Sequence, residues 1–543
     1  MHQSLEDLNR NLIERVAVGD LLRRRARDSG RNEAVVELFG GERRAITYGE
    51  LNRRVNRLAR GMRTRGLKQG DRVALIGTNS IDFLAVLFAC YKAGIVVVPI
   101  NFLQNPDDIR FNLEHSEVRA VFYDPLLEQL AQACSAGLPA ITQTVTMGGP
   151  GGPADATLAQ LMDGQPDDEI LDVVIRDRDT AQVLYTSGTT SRPKGVETSH
   201  LSLFIATLNN SASLGIRSPA VQLNVLPLFH ITALTNSLGT LFGGGRFLLH
   251  KSFDPAAIVD ALERERVQFT VLLPMMWSAL LQVPGVRERD FSALECGLYG
   301  MAPMSARTLD ALREVFGCAF HLGSGQTEFT PAPCLFFDGS PTEFGEGNYW
   351  GVPTLVTEQA VLDDQGNEVP PGQVGEICWR GPQVMNGYLK NPEATEAVST
   401  FGWHHSGDLG FIDAEGQLLF VDRKKDIVKS GGENVSSCKV EGVVLGLPGV
   451  TQCGVIGVPH PRWGEAVCAC VQLAPGTKLT EADVIEHCKK NLGNFEVPKR
   501  VLFVDSFPMT GTGKVQKLPL RQRYARLFED LDAAGSPASP PVK

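Results

Sequence analysis

Tyr185-Thr186-Ser187-Gly188-Thr189-Thr190-Ser191-Arg192-Pro193-Lys194-Gly195 is the stretch on which the reading of this chain turns. An apolar run at residues 181–185 leads into it and a second strand-like run at 195–199 leaves it. Between them stand five Ser/Thr hydroxyls, one lysine and the glycine Gly188. Backbone N–H groups and hydroxyls in such a loop can surround phosphate oxygens while the lysine supplies charge. The loop is not a Walker A motif: counted from Gly188, Pro193 stands where glycine should be, and no Ser or Thr follows Lys194. A solvated Ser/Thr loop would look the same by composition alone.

Outward from this loop the pattern alternates. Thr47-Tyr48-Gly49-Glu50 reads as a capping box, and Leu51, Val55, Leu58, Ala59 and Met62 follow at helical spacing until Gly66. A strand at 72–76, a buried helix, a strand at 95–100, a helix at 107–115 and a strand at 120–123 come next. Strands alternating with helices predict parallel sheets covered on both faces. Beyond Gly351 the texture changes to short strands and turns, with Asp363-Asp364-Gln365-Gly366-Asn367 and Asp413-Ala414-Glu415-Gly416 as hairpin signals. From about residue 424 a compact βαβ-like region is expected, with strands near 453–458 and 466–473 and a helix at 481–492.

The bulk numbers exclude several classes. At 543 residues the chain exceeds one core and suggests several packing units. A formal net charge of -10 argues against broad nucleic-acid binding, and the basic run Arg23, Arg24, Arg25, Arg27 reads as a solvated helix face. The 11 Cys are scattered without CxxC or zinc spacing, and Cys468 and Cys470 fall on one face of a strand. Free buried thiols suit a reducing, cytoplasmic setting. The polar N-terminus lacks a signal-peptide core. The apolar stretch 83–100 is interrupted by Lys92 and Gly94 and reads as helix plus strand, not a membrane span.

The hydroxyl-rich loop resembles the phosphate loop of the adenylate-forming superfamily, which comprises acyl-CoA synthetases, peptide-synthetase adenylation domains and luciferases. Ser191 replaces that family's usual glycine. The resemblance recurs in order along nearly the whole chain. Pro227-Leu228-Phe229-His230 is similar to the segment beside the acyl pocket, and Gly325-Gln326-Thr327-Glu328 to the Gly-x-Thr-Glu motif. Trp403-His404-His405-Ser406-Gly407-Asp408 resembles the ribose segment. Asp422-Arg423-Lys424-Lys425-Asp426 with Gly431-Gly432-Glu433-Asn434 resembles the hinge and thiol-side loop, and Pro508-Met509-Thr510-Gly511-Thr512-Gly513-Lys514 the catalytic-lysine loop. Each string alone is weak; together, in order, they are specific.

The resemblance implies an α/β fold. A large N-terminal domain (1–422) would combine parallel-rich sheets flanked by helices with a β-rich subdomain. A small mobile α+β C-terminal domain (423–532) would carry the catalytic lysine, followed by a disordered tail (533–543). It implies ATP, Mg²⁺ and coenzyme A as cofactor and co-substrates, with a small carboxylic acid as partner. No nucleic acid and no integral membrane are expected, and a homodimer stays open. The implied ATP-binding residues are Thr186, Ser187, Gly188, Thr189, Thr190, Lys194, Gly325, Gln326, Thr327, Asp408 and Arg423. Lys514, His230 and Glu328 would be catalytic, with Glu328 on the metal; Lys425 would be the hinge; and Gly431, Gly432 and Lys251 would face coenzyme A. Each has a plainer reading as a cap, turn, core or surface residue. Ser324 stands where the family's adenine-side motif carries an aromatic, and His404 and His405 are given no metal role.

The implied activity is that of an acyl-CoA synthetase, with a hydrophobic fatty or aryl acid favoured because segments 231–241, 272–281 and 300–304 are largely apolar. Met275, Met276 and Trp277 either line such a pocket or pack a core. The alternative is a stand-alone adenylating domain serving a carrier protein, although residues 231–234 offer no carboxylate for an amine. A luciferase-like oxygenase adds nothing the residues require. A non-catalytic nucleotide sensor would be expected to have lost Lys514, Glu328 or Asp408.

Overall fold

The computed structural model describes residues 5–149, 154–186, 192–216, 218–300, 304–340, 348–509 and 515–528. Ser187, Gly188, Thr189, Thr190, Lys514 and the tail 533–543 lie outside the described residues.

The helix foreseen after Thr47 runs Tyr48–Thr64 with both halves of its capping box formed. Leu51, Val55, Leu58, Ala59 and Met62 are all at 0% exposure, so the predicted apolar face is the buried one. Each such leucine contributes about 1.5–3 kcal/mol of hydrophobic stabilisation. Against it packs Ile81–Ala93, buried at every position but Asp82, capped by Ser80 and ended by Gly94 at φ 65. Lys92 lies inside this apolar helix because its Nζ donates to Asn52 Oδ1, Asn56 Oδ1 and Glu169 Oε2, each at 2.7 Å. Three acceptors match the three donors of an ammonium, which is what a buried charge requires.

The first sheet has 8 strands among the described residues. Its parallel centre joins Val96–Pro99, Arg72–Ile76, Ala120–Tyr123 and Gln143–Thr146. Val96, Val97 and Val98 are all buried, as expected of a strand covered on both faces. Thr180–Thr186 runs parallel to Val96–Pro99 and pairs antiparallel with Lys194–Ser199.

The second sheet has 14 strands among the described residues. Glu33–Phe39, Arg246–Leu249, Val221–Asn224, Phe269–Leu272, Cys296–Gly300 and Ala319–Ser324 form its parallel part. It continues antiparallel through Cys334–Phe336, Tyr349–Pro353, Leu418–Arg423, Trp403–Ile412, Gly375–Arg380 and Glu358–Leu362. This is the β-rich part announced by the change of texture after Gly351.

The smaller C-terminal unit is built on a hairpin, Val450–His460 with Gly464–Leu473. A βαβ crossover follows: Glu481–Asn491 returns the chain to Arg500–Phe503, parallel to Gly464–Leu473. Cys468 and Cys470 are buried in one apolar cluster, and burial pushes both thiols up to about 12. The arginine run lies on the helix Asp20–Ser29, whose Asp20, Leu21 and Leu22 are buried. No helix among the described residues is long and apolar enough to cross a membrane.

Candidate active site

The strand Thr180–Thr186 and its partner Lys194–Ser199 bring the two ends of the hydroxyl-rich loop together, with Thr186 directly opposite Lys194. The next strand of that sheet, Gly387–Tyr388, pairs with Val196 and Glu197. This register sets the Tyr388 ring under the Lys194 ammonium, 4.6 Å from Nζ to the ring centroid. The Tyr388 hydroxyl donates to Glu328 Oε1 at 2.9 Å.

Glu328 sits in a short helical turn, Thr327–Phe329, after the strand Ala319–Ser324. Loops beyond the carboxyl ends of strands are where open α/β sheets hold ligands. Burial raises the Glu328 carboxyl above its ordinary range, while Tyr388, Lys194 and Arg423 pull it back. Burial, with the Glu328 carboxylate beside it, holds the Tyr388 phenol well above its usual range, so it remains a donor. Lys194 and Glu328 share Tyr388 as a neighbour, and among the described residues Glu328 forms no ion pair. Gly325 is required by space: a Cβ there would lie 1.9 Å from the Pro331 carbonyl oxygen.

Asp408 and Arg423 face each other across the antiparallel pair Trp403–Ile412 and Leu418–Arg423. Arg423 Nε lies 3.9 Å from Asp408 Oδ1. Ser406 Oγ accepts from the Asp408 N–H at 3.0 Å and donates to the Ile377 carbonyl at 2.6 Å, tying this turn to the neighbouring strand. Four residues before Asp408, His404 is hydrogen-bonded to Gln326 at 2.7 Å.

Thr186 and Lys194 thus lie on strands of the 8-stranded sheet, Asp408 and Arg423 on strands of the 14-stranded sheet and Glu328 in the loop after another of its strands, and Lys194 and Arg423 both act electrostatically on Glu328. His230 is the N-cap residue of the helix Ile231–Phe242, with its ring 4.6 Å from that of Phe229. Lys251 sets its ammonium 4.7 Å from the Phe39 ring. Trp277 is core: it is at 0% exposure and its Nε1 donates to the Leu298 carbonyl at 3.1 Å. Met275, by contrast, is 74% exposed.

Gly431 and Gly432 form the two-residue turn between Val428–Ser430 and Glu433–Val435, with φ 63 and 90. Both values are those of a type I′ hairpin, which only glycine adopts without strain at both positions. Lys425 is exposed, two residues past the end of the strand Leu418–Arg423. Just before it, Asp422 is buried and accepts from the Ser437 hydroxyl at 2.6 Å at the start of the helix Ser437–Leu445.

Two residues escaped the sequence reading. Tyr388 carries no local signal beyond a Gly-Tyr pair. His404, part of the ribose-type segment but with no role of its own there, contacts the Gly-Gln-Thr-Glu segment.

The AMP-binding enzyme family model matches residues 22–389, and the AMP-binding enzyme C-terminal domain model matches 439–514. A feruloyl-CoA synthase of Amycolatopsis sp is 39% identical over 506 residues, covering 92% of this chain and 98% of the relative. A fatty acid–[acyl-carrier-protein] ligase of Streptomyces coeruleorubidus is 33% identical over 498 residues, covering 89% and 92%. Among solved structures, ATP-bound MatB from Rhodopseudomonas palustris superposes with a TM-score of 0.84 at 30% identity, covering 94% of this chain and 99% of that one. On these matches, the chain belongs to the AMP-binding enzyme family, within the adenylate-forming superfamily.

Proposed function

We propose that the chain is an ATP-dependent acyl-CoA synthetase acting on a hydrophobic aryl or fatty acid. The observation that carries this reading is the convergence on Glu328: Tyr388 bonds it, and Lys194 and Arg423 both draw its carboxyl down. Lys194 of the hydroxyl-rich hairpin and Arg423 of the ribose-type strand thus both act electrostatically on one carboxylate, which suits a site that takes a triphosphate with its magnesium ion.

The chemical obstacle is that a carboxylate must attack an anionic phosphate. Two like charges about 4 Å apart repel by roughly 1 kcal/mol in water and roughly 4 kcal/mol at an effective dielectric of 20. Cations aimed at the developing charge remove that barrier. In the first half-reaction the acid's oxygen bonds the α-phosphorus, the bond to the β-phosphate oxygen breaks, and pyrophosphate leaves. Lys194 neutralises the leaving phosphates, Lys514 bridges acid and nucleotide, and Asp408 with Arg423 holds the ribose. Thr186, Gly325, Gln326 and Thr327 complete the nucleotide side.

In the second half-reaction the thiol sulfur of coenzyme A attacks the acyl carbon. The bond to AMP breaks, and the thiol proton is released. Gly431 and Gly432 flank the thiol path, His230 borders the meeting point of acid and thiol, and Lys251 is a candidate for a coenzyme A phosphate. Lys425 is the pivot between residues 1–422 and 423–532, exchanging the lysine loop for the Gly-Gly loop.

Among the described residues no three metal-ligating side chains converge. Magnesium keeps waters and phosphate oxygens and asks for one or two carboxylates. Glu328 would hold it, and the ion would supply charge neutralisation on the triphosphate.

The acyl side of the reading rests on the buried apolar helix Ile231–Phe242 and on relatives named for feruloyl and fatty acyl groups. Because one relative is named for a carrier protein, transfer to a phosphopantetheinyl carrier is the second reading. A panel of aryl and fatty acids, assayed for pyrophosphate release and then for thioester with coenzyme A or with carrier protein, separates the two. Acid-independent pyrophosphate release, or none with any acid, would defeat the proposal.

A further inference from the structure

His404 is 5% exposed, and its Nε2 lies 2.7 Å from Nε2 of the Gln326 side-chain amide. Its other ring nitrogen, Nδ1, is buried and finds no partner among the described residues. The Phe329 ring stands 5.8 Å away, and Trp379 lies opposite in the neighbouring strand. Burial, reinforced by His405 and opposed by Glu376, pushes the His404 imidazole down to about 4. The ring is therefore neutral at physiological pH and carries a single N–H.

Where that proton sits decides what Gln326 can do. On Nδ1 it would be a buried donor without an acceptor, the costlier defect; on Nε2 it meets Gln326 and leaves Nδ1 as an unfilled acceptor. Nε2–H thus donates, and Gln326 must offer its carbonyl oxygen. The oxygen and nitrogen of a glutamine amide exchange by a half turn, so the hydrogen-bond network determines the assignment. The Gln326 NH2 then points away from His404. Gln326 itself is only partly buried, and its neighbour Ser324 has no ring to stack on a base.

We propose that His404 is a positioning residue that fixes Gln326 as a hydrogen-bond donor to the nucleobase, so that the pair selects a purine with an acceptor at ring position N1. Adenine has that acceptor; hypoxanthine and guanine carry N1–H there instead. The inference rests on the reading of residues 325–327 as the nucleotide side of an ATP site.

The test is calorimetric titration of ATP and ITP into the intact protein and into His404→Phe, Gln326→Leu, Gln326→Glu and the double variant His404→Phe/Gln326→Leu. Wild type should favour ATP, and His404→Phe should compress the ATP-to-ITP ratio by about two- to tenfold, one hydrogen bond's worth. Gln326→Leu should do the same and the double variant no more. Gln326→Glu keeps an acceptor for His404 but offers the base only acceptors, so its preference should move toward ITP; it carries the test if His404→Phe fails to fold. An unchanged ratio in His404→Phe, or an unchanged preference in Gln326→Glu, overturns the proposal. A wild type that binds neither nucleotide defeats the ATP-site reading itself, whereas one that binds both equally defeats only this inference.

Discussion

The Tyr388 hydroxyl donates to the Glu328 carboxylate at 2.9 Å across 60 positions of sequence. The same ring carries the Lys194 ammonium on its face, so one side chain satisfies both ions without letting them pair. A hydrogen bond to a charged group is worth about 1.5–3 kcal/mol. Tyr388→Phe should therefore slow ATP–pyrophosphate exchange by about ten- to a hundredfold, and Tyr388→Leu, which also removes the ring, should slow it further. Exchange at the wild-type rate in Tyr388→Phe would remove Tyr388 from the site.

On the proposed reading Lys514 serves the first half-reaction and not the second. Lys514→Ala should cut acyl-adenylate formation by several orders of magnitude, while thioester formation from supplied acyl-adenylate survives far better. Single-turnover assays of each step check this; equal losses in both would contradict the assigned role.

On the proposed reading Asp408 accepts from both ribose hydroxyls, an arrangement a carboxylate has lone pairs enough to make. Asp408→Ala should weaken ATP binding by about ten- to a hundredfold and shrink the preference for ATP over 2′-deoxy-ATP. Affinity for the acid should change little. Titration of both nucleotides into the folded variant decides it, and a preserved preference for the 2′-hydroxyl would mean that Asp408 is not the ribose acceptor.

Stability should depend on Glu33 at acid pH. The hydrogen bonds of Arg43, with those of Arg246, hold the Glu33 carboxyl down at about 2, below its ordinary 4.5. A carboxyl depressed on folding contributes stability that is complete above its unfolded pKa and is lost as pH falls toward the folded one. The melting temperature of wild type should thus drop between about pH 4.5 and 2, the window these two values bound. Glu33→Gln should start lower and show a shallower drop. Parallel acid slopes in thermal melts of the two proteins would rule this contribution out.

What the amino-acid sequence determined by itself is local or periodic. Thr47 and Glu50 are three residues apart, and their capping box starts a helix as read. The strands Arg72–Ile76 and Ala120–Tyr123 also fall where the apolar runs place them. Gly431 and Gly432 announce a tight turn because only glycine takes two successive positive φ angles at no cost. The order of short motifs was legible too, and it was enough to suggest the family to which the chain belongs.

What only the tertiary structure decided is which distant side chains meet. Lys92 looks like a break in an apolar run until Asn52, Asn56 and Glu169 are brought around it. Trp277 reads equally as pocket or core until its indole N–H is found on the Leu298 carbonyl. Tyr388 reaches Glu328 through the register of the strand pair it shares with Val196 and Glu197, and His404 reaches Gln326 across 78 positions. Capping and amphipathic spacing act within a few residues, so sequence carries them directly. Contacts between strands depend on sheet order and register, which the whole chain sets at once by burying its apolar faces.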